Sequence, residues 1–283
     1  MGLTIHYSFQ AQGSEAQARE LMHALHQTAQ DLPFKELGQI VELSGAQCDA
    51  SSRPRNDSLG WLLVQATESI EFKPEGRKRN PSYTTWYNVP PARLIAFDTW
   101  PGEGCEAANF GLCQYPAVIQ TDRGPLKTGL ADWHWSSFCK TQYASDPKLG
   151  GVPNFLRCHL TVIAMLDRAK ALGCLGEVSD EGGFWARRNV PKLVEEVGSW
   201  NELMAAFGGT LKDLLGSGPL GIQAAIAAYP NFEQLEAAGQ TNLPPEYKHL
   251  VKLISRVGAS LWQTDQQPGA EAGRESAPSN ASS

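Results

Sequence analysis

Several features that would assign a function directly are missing from this sequence. No two cysteines have the C-x-x-C spacing of a zinc knuckle or a redox motif, and no phosphate-binding loop, kinase signature or H-E-x-x-H pair occurs. The apolar runs are too short to span a bilayer. Lys and Arg number 24 against 30 Asp and Glu, so the net charge is −6. These absences argue against a membrane helix, a nucleic-acid partner and phosphate-loop chemistry.

The start of the chain also lacks a recognisable targeting signal. Residues 1–6 contain neither a basic segment nor an apolar one, so we expect a soluble, cytoplasmic protein. Six cysteines are present, and in that compartment we expect them to stay reduced and unpaired. The gap between Cys105 and Cys113 does not suit a zinc knuckle. We therefore expect no metal and no cofactor.

What is present is a change of periodicity along the chain. Residues 3–10 alternate apolar and polar, as in a half-buried strand, and Ser14 with Gln17 forms a capping box that begins a helix. Further strands are predicted at 61–72, 94–99 and 115–121 and within 126–143. Helical spacing dominates after Pro147. The pattern predicts an α+β fold, in which a mixed or antiparallel sheet from the first half packs against helices mostly from the second half.

The hydrophobic content of 42% is sufficient for one large core. We predict a single domain over residues 1–263, divided into a sheet-rich half, 1–147, and a helical half, 148–263. Residues 264–283 contain little except Gln, Gly, Ala, Ser, Glu and Pro after the first positions. That composition predicts a disordered tail.

Two polar and aromatic segments in the first half are candidates for a site. The segment PGEGCE, residues 101–106, follows a buried strand, and its glycines permit close approach to a ligand or simply a tight turn. In a strand over 133–143, one face carries a polar series that either meets solvent or lines a cavity. That series is His134, Ser136, Phe138, Lys140 and Gln142. On the other face Trp135 suits either a stacking platform or a core.

Two more candidate segments follow in the helical half. Arg157 lies off the apolar stripe of its helix and is placed to meet an anion. His159 lies within that stripe, where a histidine is either a core residue or, if a carboxylate or thiol meets it, a functional one. Residues 179–188 place a Gly-Gly pair beside Glu181 and Arg187, which fits a lid loop or an ordinary connection.

These segments contain the parts of a nucleophilic site. The expected catalytic group is Cys139 as a thiol and His134 as its base, oriented by Glu106 or Glu181, with Cys105 and His159 as alternatives. Carboxylate pairs drawn from the same loops would support acid–base chemistry instead. The expected ligand-binding residues are Glu103, Lys140, Arg157, His159, Trp135 and Arg187. We expect one cavity to be lined by Glu103, Glu106, His134, Lys140, Arg157 and Glu181.

Five segments, PGEGCE, NFGLC, SSFCKTQYAS, NFLRCHL and DEGGFW, resemble an uncharacterised family of bacterial proteins. The resemblance covers most of residues 1–235. That family has no assigned activity, so the resemblance implies no role for any residue. On the residues alone we expect a hydrolytic enzyme with a polar, aromatic-lined pocket for a small ligand. The alternative is a non-catalytic ligand-binding or protein-interaction module, and the oligomeric state stays open.

Overall fold

The computed structural model describes residues 3–50, 58–72, 85–130, 132–215, 229 and 231–242. The chain divides into two compact units, the first made of residues 1–201 and 228–231 and the second of 202–227 and 232–283. The predicted tail, 264–283, lies outside the described residues. The predicted domain, 1–263, extends into residues that are not described, so it stays a prediction.

The first unit holds most of the secondary structure. Its strands are β1 (Thr4–Ala11), β2 (Glu36–Leu37), β3 (Val41–Ser44), β4 (Glu68–Phe72), β5 (Thr85–Val89), β6 (Arg93–Phe97), β7 (Thr99–Trp100), β8 (Phe110–Gln114), β9 (Val118–Thr121), β10 (Gly124–Lys127), β11 (Trp133–Lys140) and β12 (Leu175–Asp180). The helices along the chain are α1 (Glu15–Gln30), α2 (Ser58–Ala66), α3 (Gly151–Ala171), α4 (Phe184–Arg187), α5 (Val190–Leu215) and α6 (Phe232–Asn242), of which α6 belongs to the second unit and α5 runs across the boundary.

A six-stranded antiparallel sheet organises the first unit, with the strand order β12-β1-β11-β8-β6-β3. Within it β1 pairs with β11, which lies far from it in the sequence. Their register places His6 opposite Phe138, Ser8 opposite Ser136 and Gln10 opposite His134. The polar positions of the two strands therefore share one face of the sheet. The sheet and the helices that follow it confirm the predicted α+β class.

The other face of the sheet carries the core. Ile5, Tyr7 and Phe9 from β1 and Trp133 and Trp135 from β11 are almost completely buried, and they join a large apolar cluster that includes residues of α1 and α3. Two of these buried aromatic side chains, Tyr7 and Trp135, also satisfy their polar atoms. The Tyr7 hydroxyl and the Trp135 indole N–H both donate to the Asn109 carbonyl, at 2.7 and 3.1 Å.

The strand predicted over 61–72 is wrong in its first half. Residues from Ser58 to Ala66 form α2, and only β4, after them, is a strand. Leu62, Leu63 and Ala66 are buried whereas Trp61 is exposed, which is a helical spacing rather than alternation. The correction matters because α2 and β4 bring Gln65 and Glu68 towards the polar face of the sheet.

Candidate functional site

A groove lies on the polar face of the sheet. Its volume is about 870 Å³ and its floor is formed by β12, β1 and β11. Three members of the predicted polar series, His134, Ser136 and Phe138, therefore line a cavity, whereas Lys140 does not and Gln142 is buried beyond the end of β11. The groove is lined by His6, Ser8, Gln10, Gln65, His134, Ser136, Phe138, Glu177 and Ser179, together with parts of Tyr7, Ser137, Gly176 and Val178.

An acid, an imidazole and a hydroxyl meet at one end of the groove. His134 and Ser136 are two positions apart on β11, so alternation places them on the same face. The His134 Nε2 lies 3.1 Å from the Ser136 Oγ and 3.2 Å from the Glu68 Oε1. The His134 and Glu68 side chains are 22% and 26% exposed, so water and small molecules reach the pair. We call these three residues the groove triad.

The groove triad differs from a serine hydrolase relay. In such a relay the histidine uses one ring nitrogen for the serine and the other for the acid. Here both partners approach Nε2. One nitrogen cannot accept a proton from Ser136 while donating its own proton to Glu68. The triad can hold a proton on His134 and present a carboxylate and a hydroxyl to a ligand.

The rest of the groove combines hydroxyl and amide groups with an aromatic surface. The Ser8 Oγ accepts a hydrogen bond of 2.8 Å from the Glu177 backbone N–H, which ties the edge strand β12 to the floor. Phe138 is 43% exposed, and its ring centroid lies 5.8 Å from that of His6. Aromatic contact area for a ligand therefore comes from Phe138 and His6. Trp135, the expected stacking residue, lies in the core with no exposed surface.

The six residues expected to line one cavity are separated along the sheet. His134 and Lys140 stand at opposite ends of β11, six positions and thus about 20 Å apart. Of the six, only His134 lines the groove. Near the far end, the Glu106 backbone N–H donates to the Lys140 carbonyl at 3.0 Å, and the Glu181 carboxylate accepts from the Thr4 N–H at 2.9 Å. The predicted common cavity is therefore not formed.

The expected thiol–imidazole pair of Cys139 and His134 is not formed either. Their positions differ by an odd number, so alternation puts the two side chains on opposite faces of the sheet. Cys139 is fully buried on the helix side, and its S–H donates to the Glu106 carbonyl at 3.3 Å. Burial raises the pKa of this thiol well above its ordinary value, and nearby Glu106 raises it further. Cys139 is therefore a core residue.

Arg157 and Glu103 make contacts within the protein at the PGEGCE loop. The Arg157 Nη1 donates to the carbonyls of Pro33 and Pro101, at 2.8 and 2.9 Å. Glu103 forms an ion pair with Lys35. In the same loop a Cβ on Gly104 would clash with the backbone at Tyr143. The close approach that the glycine permits is thus to the chain's own backbone.

His159 and Asp180 form a second histidine–carboxylate pair, which is completely enclosed. The His159 Nε2 lies 3.5 Å from the Asp180 Oδ1, and Nδ1 lies 3.0 Å from the Thr141 hydroxyl. Asp180 also accepts backbone N–H bonds from Gly182 and Trp185, at 2.9 and 2.8 Å. We call Thr141, His159 and Asp180 the buried triad.

The pKa of Asp180 shows whether its interactions outweigh the cost of burying the carboxylate. Burial by itself raises the pKa of the carboxyl, but the neighbouring His159, with the two backbone donors, more than offsets it. The net effect is a lowered pKa. A carboxylate therefore does meet His159, but as a structural clamp that joins the ends of β11 and β12 to α3. Arg187 bonds to the Gly182 carbonyl in the adjoining loop, at 3.0 Å.

Residues missed at the sequence level supply much of the groove. Glu68 and Gln65 were assigned to one strand, and His6, Ser8 and Gln10 were given no role. A usable signal was present, because the polar positions of residues 4–10 alternate just as those of β11 do. Two strands that each have one polar face produce a polar surface when they pair. Nothing local, however, indicates that β1 and β11 are neighbours.

Within the described part of the chain, no three His, Cys, Asp or Glu residues are grouped to hold a metal ion. No helix in those same ranges is long and apolar enough to cross a bilayer. No protein-family model matches the chain, and comparison with curated proteins and with solved structures gives no match. These results are consistent with the resemblance to an uncharacterised bacterial family. A function is therefore best sought in the groove itself.

Proposed function

We propose that the protein binds a small polyhydroxylated ligand, such as a sugar or the ribose of a nucleoside, in the groove on the polar face of the sheet. The observation that carries this proposal is the groove triad, in which a carboxylate and a hydroxyl meet around one imidazole nitrogen. His134 and Ser136 line the groove, Glu68 lies partly exposed beside it, and the groove also presents an exposed phenyl ring.

The chemistry of the lining supports a ligand rich in hydroxyl groups. Carboxylates, amides and hydroxyls both accept from and donate to alcohols, and the groove contains all three kinds of side chain. The Phe138 ring gives an apolar surface for the C–H face of such a ligand. Small-molecule sites commonly combine apolar contact area with a few convergent polar groups.

The charge of the lining disfavours a phosphate or another strong anion. Among the described residues, the side chains that line the groove include Glu177 but neither Lys nor Arg, and Glu68 adds a second carboxylate beside them. Anion sites in proteins usually contain a guanidinium, an ammonium or a helix N-terminus. The balance instead favours a neutral ligand, or one that carries an amine.

Hydrolysis of the bound ligand is the second candidate function. It rests on the 3.2 Å contact between His134 Nε2 and Glu68, because a carboxylate that accepts the Nε2–H leaves Nδ1 of the imidazole as a general base towards water. The Ser136 hydroxyl, at 3.1 Å from Nε2, is placed to bind the ligand. This version of the hydrolase hypothesis uses His134 but none of the three other residues expected to be catalytic.

The binding proposal can be tested by amide NMR of the full-length protein. The probes are glucose, N-acetylglucosamine, adenosine and inorganic phosphate, each titrated separately. We expect at least one hydroxyl-rich probe to shift resonances of β1, β11 and β12, and phosphate to shift none of them. In His134→Ala the response should weaken at least about tenfold, as expected for losing a charged or polar anchor.

The matched control is His23→Ala. His23 lines a separate shallow surface hollow on α1, so its loss should leave the titration unchanged. Failure of every hydroxyl-rich probe to shift the groove, or equal binding by the two alanine variants, would contradict the proposal. Hydrolysis is measured as the release of nitrophenol from nitrophenyl glycosides and from nitrophenyl acetate. Turnover unaffected by Glu68→Gln would exclude the second candidate.

A further inference from the structure

Away from the groove, two cysteines meet beneath the PGEGCE loop. Cys105 lies in that loop and Cys158 on α3, and they belong to the same small apolar cluster. Each thiol is the largest influence on the pKa of the other, so the two are close neighbours. The Arg157 Nη2 lies 3.2 Å from the Cys158 Sγ. The other polar neighbours of that sulfur are the Pro101 carbonyl at 3.5 Å and the Asn154 Oδ1 at 3.7 Å.

The Arg157 contact favours a thiolate on Cys158, because a guanidinium next to a sulfur stabilises the negative form. The pKa of Cys158 is lowered, with Cys105 as the largest influence and Arg157 as a further one, although burial opposes them. The Pro101 carbonyl and the Asn154 Oδ1 accept from the Cys158 S–H and so favour the thiol form. Cys158 in turn raises the pKa of Cys105.

We propose that Cys158 and Cys105 form a dithiol site that reacts with a small hydroperoxide, Cys158 being the attacking sulfur and Cys105 the resolving one. The proposal is independent of the ligand bound in the groove. In chemical class the oxidant is hydrogen peroxide or a small alkyl hydroperoxide, and the product is an intramolecular disulfide between the loop and α3.

The reaction balances without another reactant. The Cys158 thiolate attacks one peroxide oxygen, the O–O bond breaks, and the products are a sulfenic acid and hydroxide, which takes up a proton as water. The Cys105 sulfur then attacks the Cys158 sulfur and its proton leaves with the sulfenic hydroxyl as a second water. Two thiols are oxidised by two electrons while one peroxide is reduced.

The surroundings admit a small oxidant better than a large one. Cys158 has no exposed surface whereas Cys105 is half-buried, so the approach lies along the loop. Gly102 covers the sulfur without a side chain, and a Cβ there would come within 3.1 Å of the Cys158 Sγ. Hydrogen peroxide is close to water in size. Glutathione disulfide should therefore react much more slowly than hydrogen peroxide.

The other cysteines lack these features. Cys139 gives its S–H to the Glu106 carbonyl, and burial raises its pKa. Burial raises the pKa of Cys174 to about 11, and its S–H points to the Ala169 carbonyl at 3.5 Å. Burial likewise raises the pKa of Cys48 and Cys113. Buried thiols without a nearby cation are inert in general.

The experiment uses the full-length, reduced protein and hydrogen peroxide, followed by alkylation of the remaining thiols and peptide mapping. We expect the protein to lose two of its six thiols and to yield one linked peptide pair that contains Cys105 and Cys158. In Cys105→Ser we expect the oxidation to stop at a Cys158 sulfenic acid, which dimedone traps. Arg157→Gln should slow the loss of thiol about fivefold or more.

Cys174→Ser is the matched control, since it removes a buried cysteine that has no cationic neighbour, and it should react as the wild type does. Three results would overturn the proposal: no loss of thiol at peroxide concentrations that oxidise a model dithiol, a disulfide that involves a different pair, or unchanged dimedone labelling in Cys158→Ser. Mapping of the wild-type protein decides the pairing even if a variant does not fold.

Discussion

The two histidine–carboxylate pairs of this protein use the same groups for different purposes. The His134–Glu68 pair of the groove is separated by 3.2 Å, and about a quarter of each side chain is exposed. The His159–Asp180 pair is separated by 3.5 Å and is almost completely buried. In an exposed pair, either side chain can replace its partner with water or a ligand at little cost. A buried pair cannot lose one side chain without leaving the other as an uncompensated polar group.

The difference shows that the residues most conspicuous in the sequence mainly hold the structure together. Besides the buried triad, Gln142 and Asn201 share a hydrogen bond of 3.2 Å, and Asn201 donates to the Ser145 hydroxyl at 2.9 Å. These contacts connect chain segments where the main-chain ladders end. The groove, by contrast, is built largely from ordinary alternating strands. An accumulation of polar and aromatic residues in loops is therefore a poor guide to the position of the groove.

The largest expected effect is on the buried triad. Asp180→Ala removes the partner of His159 and two acceptors of backbone N–H groups. We expect a loss of about 3–5 kcal/mol in the free energy of unfolding, as for breaking other buried pairs. The matched change, Glu68→Ala, should cost less than about 1 kcal/mol. Urea denaturation at neutral pH measures both.

Equal losses in these two variants would contradict the comparison, because they would show that burial does not distinguish the two pairs. A small loss in Asp180→Ala alone would mean that His159 adapts as a neutral core residue. In that case the buried triad would contribute little beyond its packing.

The next largest effect is expected at Gly104, near the far end of β11. Its φ is +79°, and an added Cβ would meet the backbone at Tyr143, which cannot move aside as a side chain can. Gly104→Ala should cost about 1–2 kcal/mol for the left-handed backbone and about 1–3 kcal/mol more for the clash. Gly124→Ala is the control, since its φ is +102° but nothing lies within 4 Å. Equal loss of thermal stability in both would disprove the steric argument.

Much of the fold could be predicted from the sequence, but little of the site could. Alternation identified β1 and the two faces of β11, and thereby the shared face of His134 and Ser136. The same alternation already separates His134 from Cys139, so that pairing could have been rejected without a structure. Glu68 was not identified because residues 61–72 contain apolar positions compatible with either a strand or a helix. Its approach to His134 depends on tertiary packing, which no local pattern encodes.

Acid titration should separate the two pairs further. The pKa of Asp180 is lowered in the folded protein, so its ionised form stabilises the fold above the unfolded value of about 3.9. That stabilisation is lost as the pH falls through the lower, folded pKa. In Asp180→Asn the decrease of Tm below about pH 4 should be shallower than in the wild type.

Glu42→Gln is the control for this titration. The pKa of Glu42 is also lowered, mainly by its hydrogen bond with Arg19, but that ion pair is solvent-exposed. Exposed pairs contribute little to stability, so the decrease of Tm in acid should be the same in Glu42→Gln as in the wild type. If Tm decreases equally in acid in the wild type and in Asp180→Asn, His159 does not stabilise the ionised carboxyl.

The smallest effect on stability is expected in the groove, where the effect on function should be greatest. Within the described part of the chain, the Ser136 hydroxyl forms a hydrogen bond with the His134 ring alone, and that contact, which Ser136→Ala removes, is exposed. The free energy of unfolding should change by less than about 0.5 kcal/mol, as for most surface substitutions. Binding of the hydroxyl-rich probe should weaken about tenfold, because a lost hydrogen bond in a ligand site costs about 1 kcal/mol or somewhat more. Thermal unfolding and the NMR titration of the same sample measure the two quantities. Trp135→Phe, its neighbour on the buried face, provides the reverse control, with a measurable loss of stability from the lost indole hydrogen bond to Asn109 and unchanged binding. A Ser136 variant that unfolds readily but binds normally would place this strand in the structural part of the molecule and remove the basis for a site in the groove.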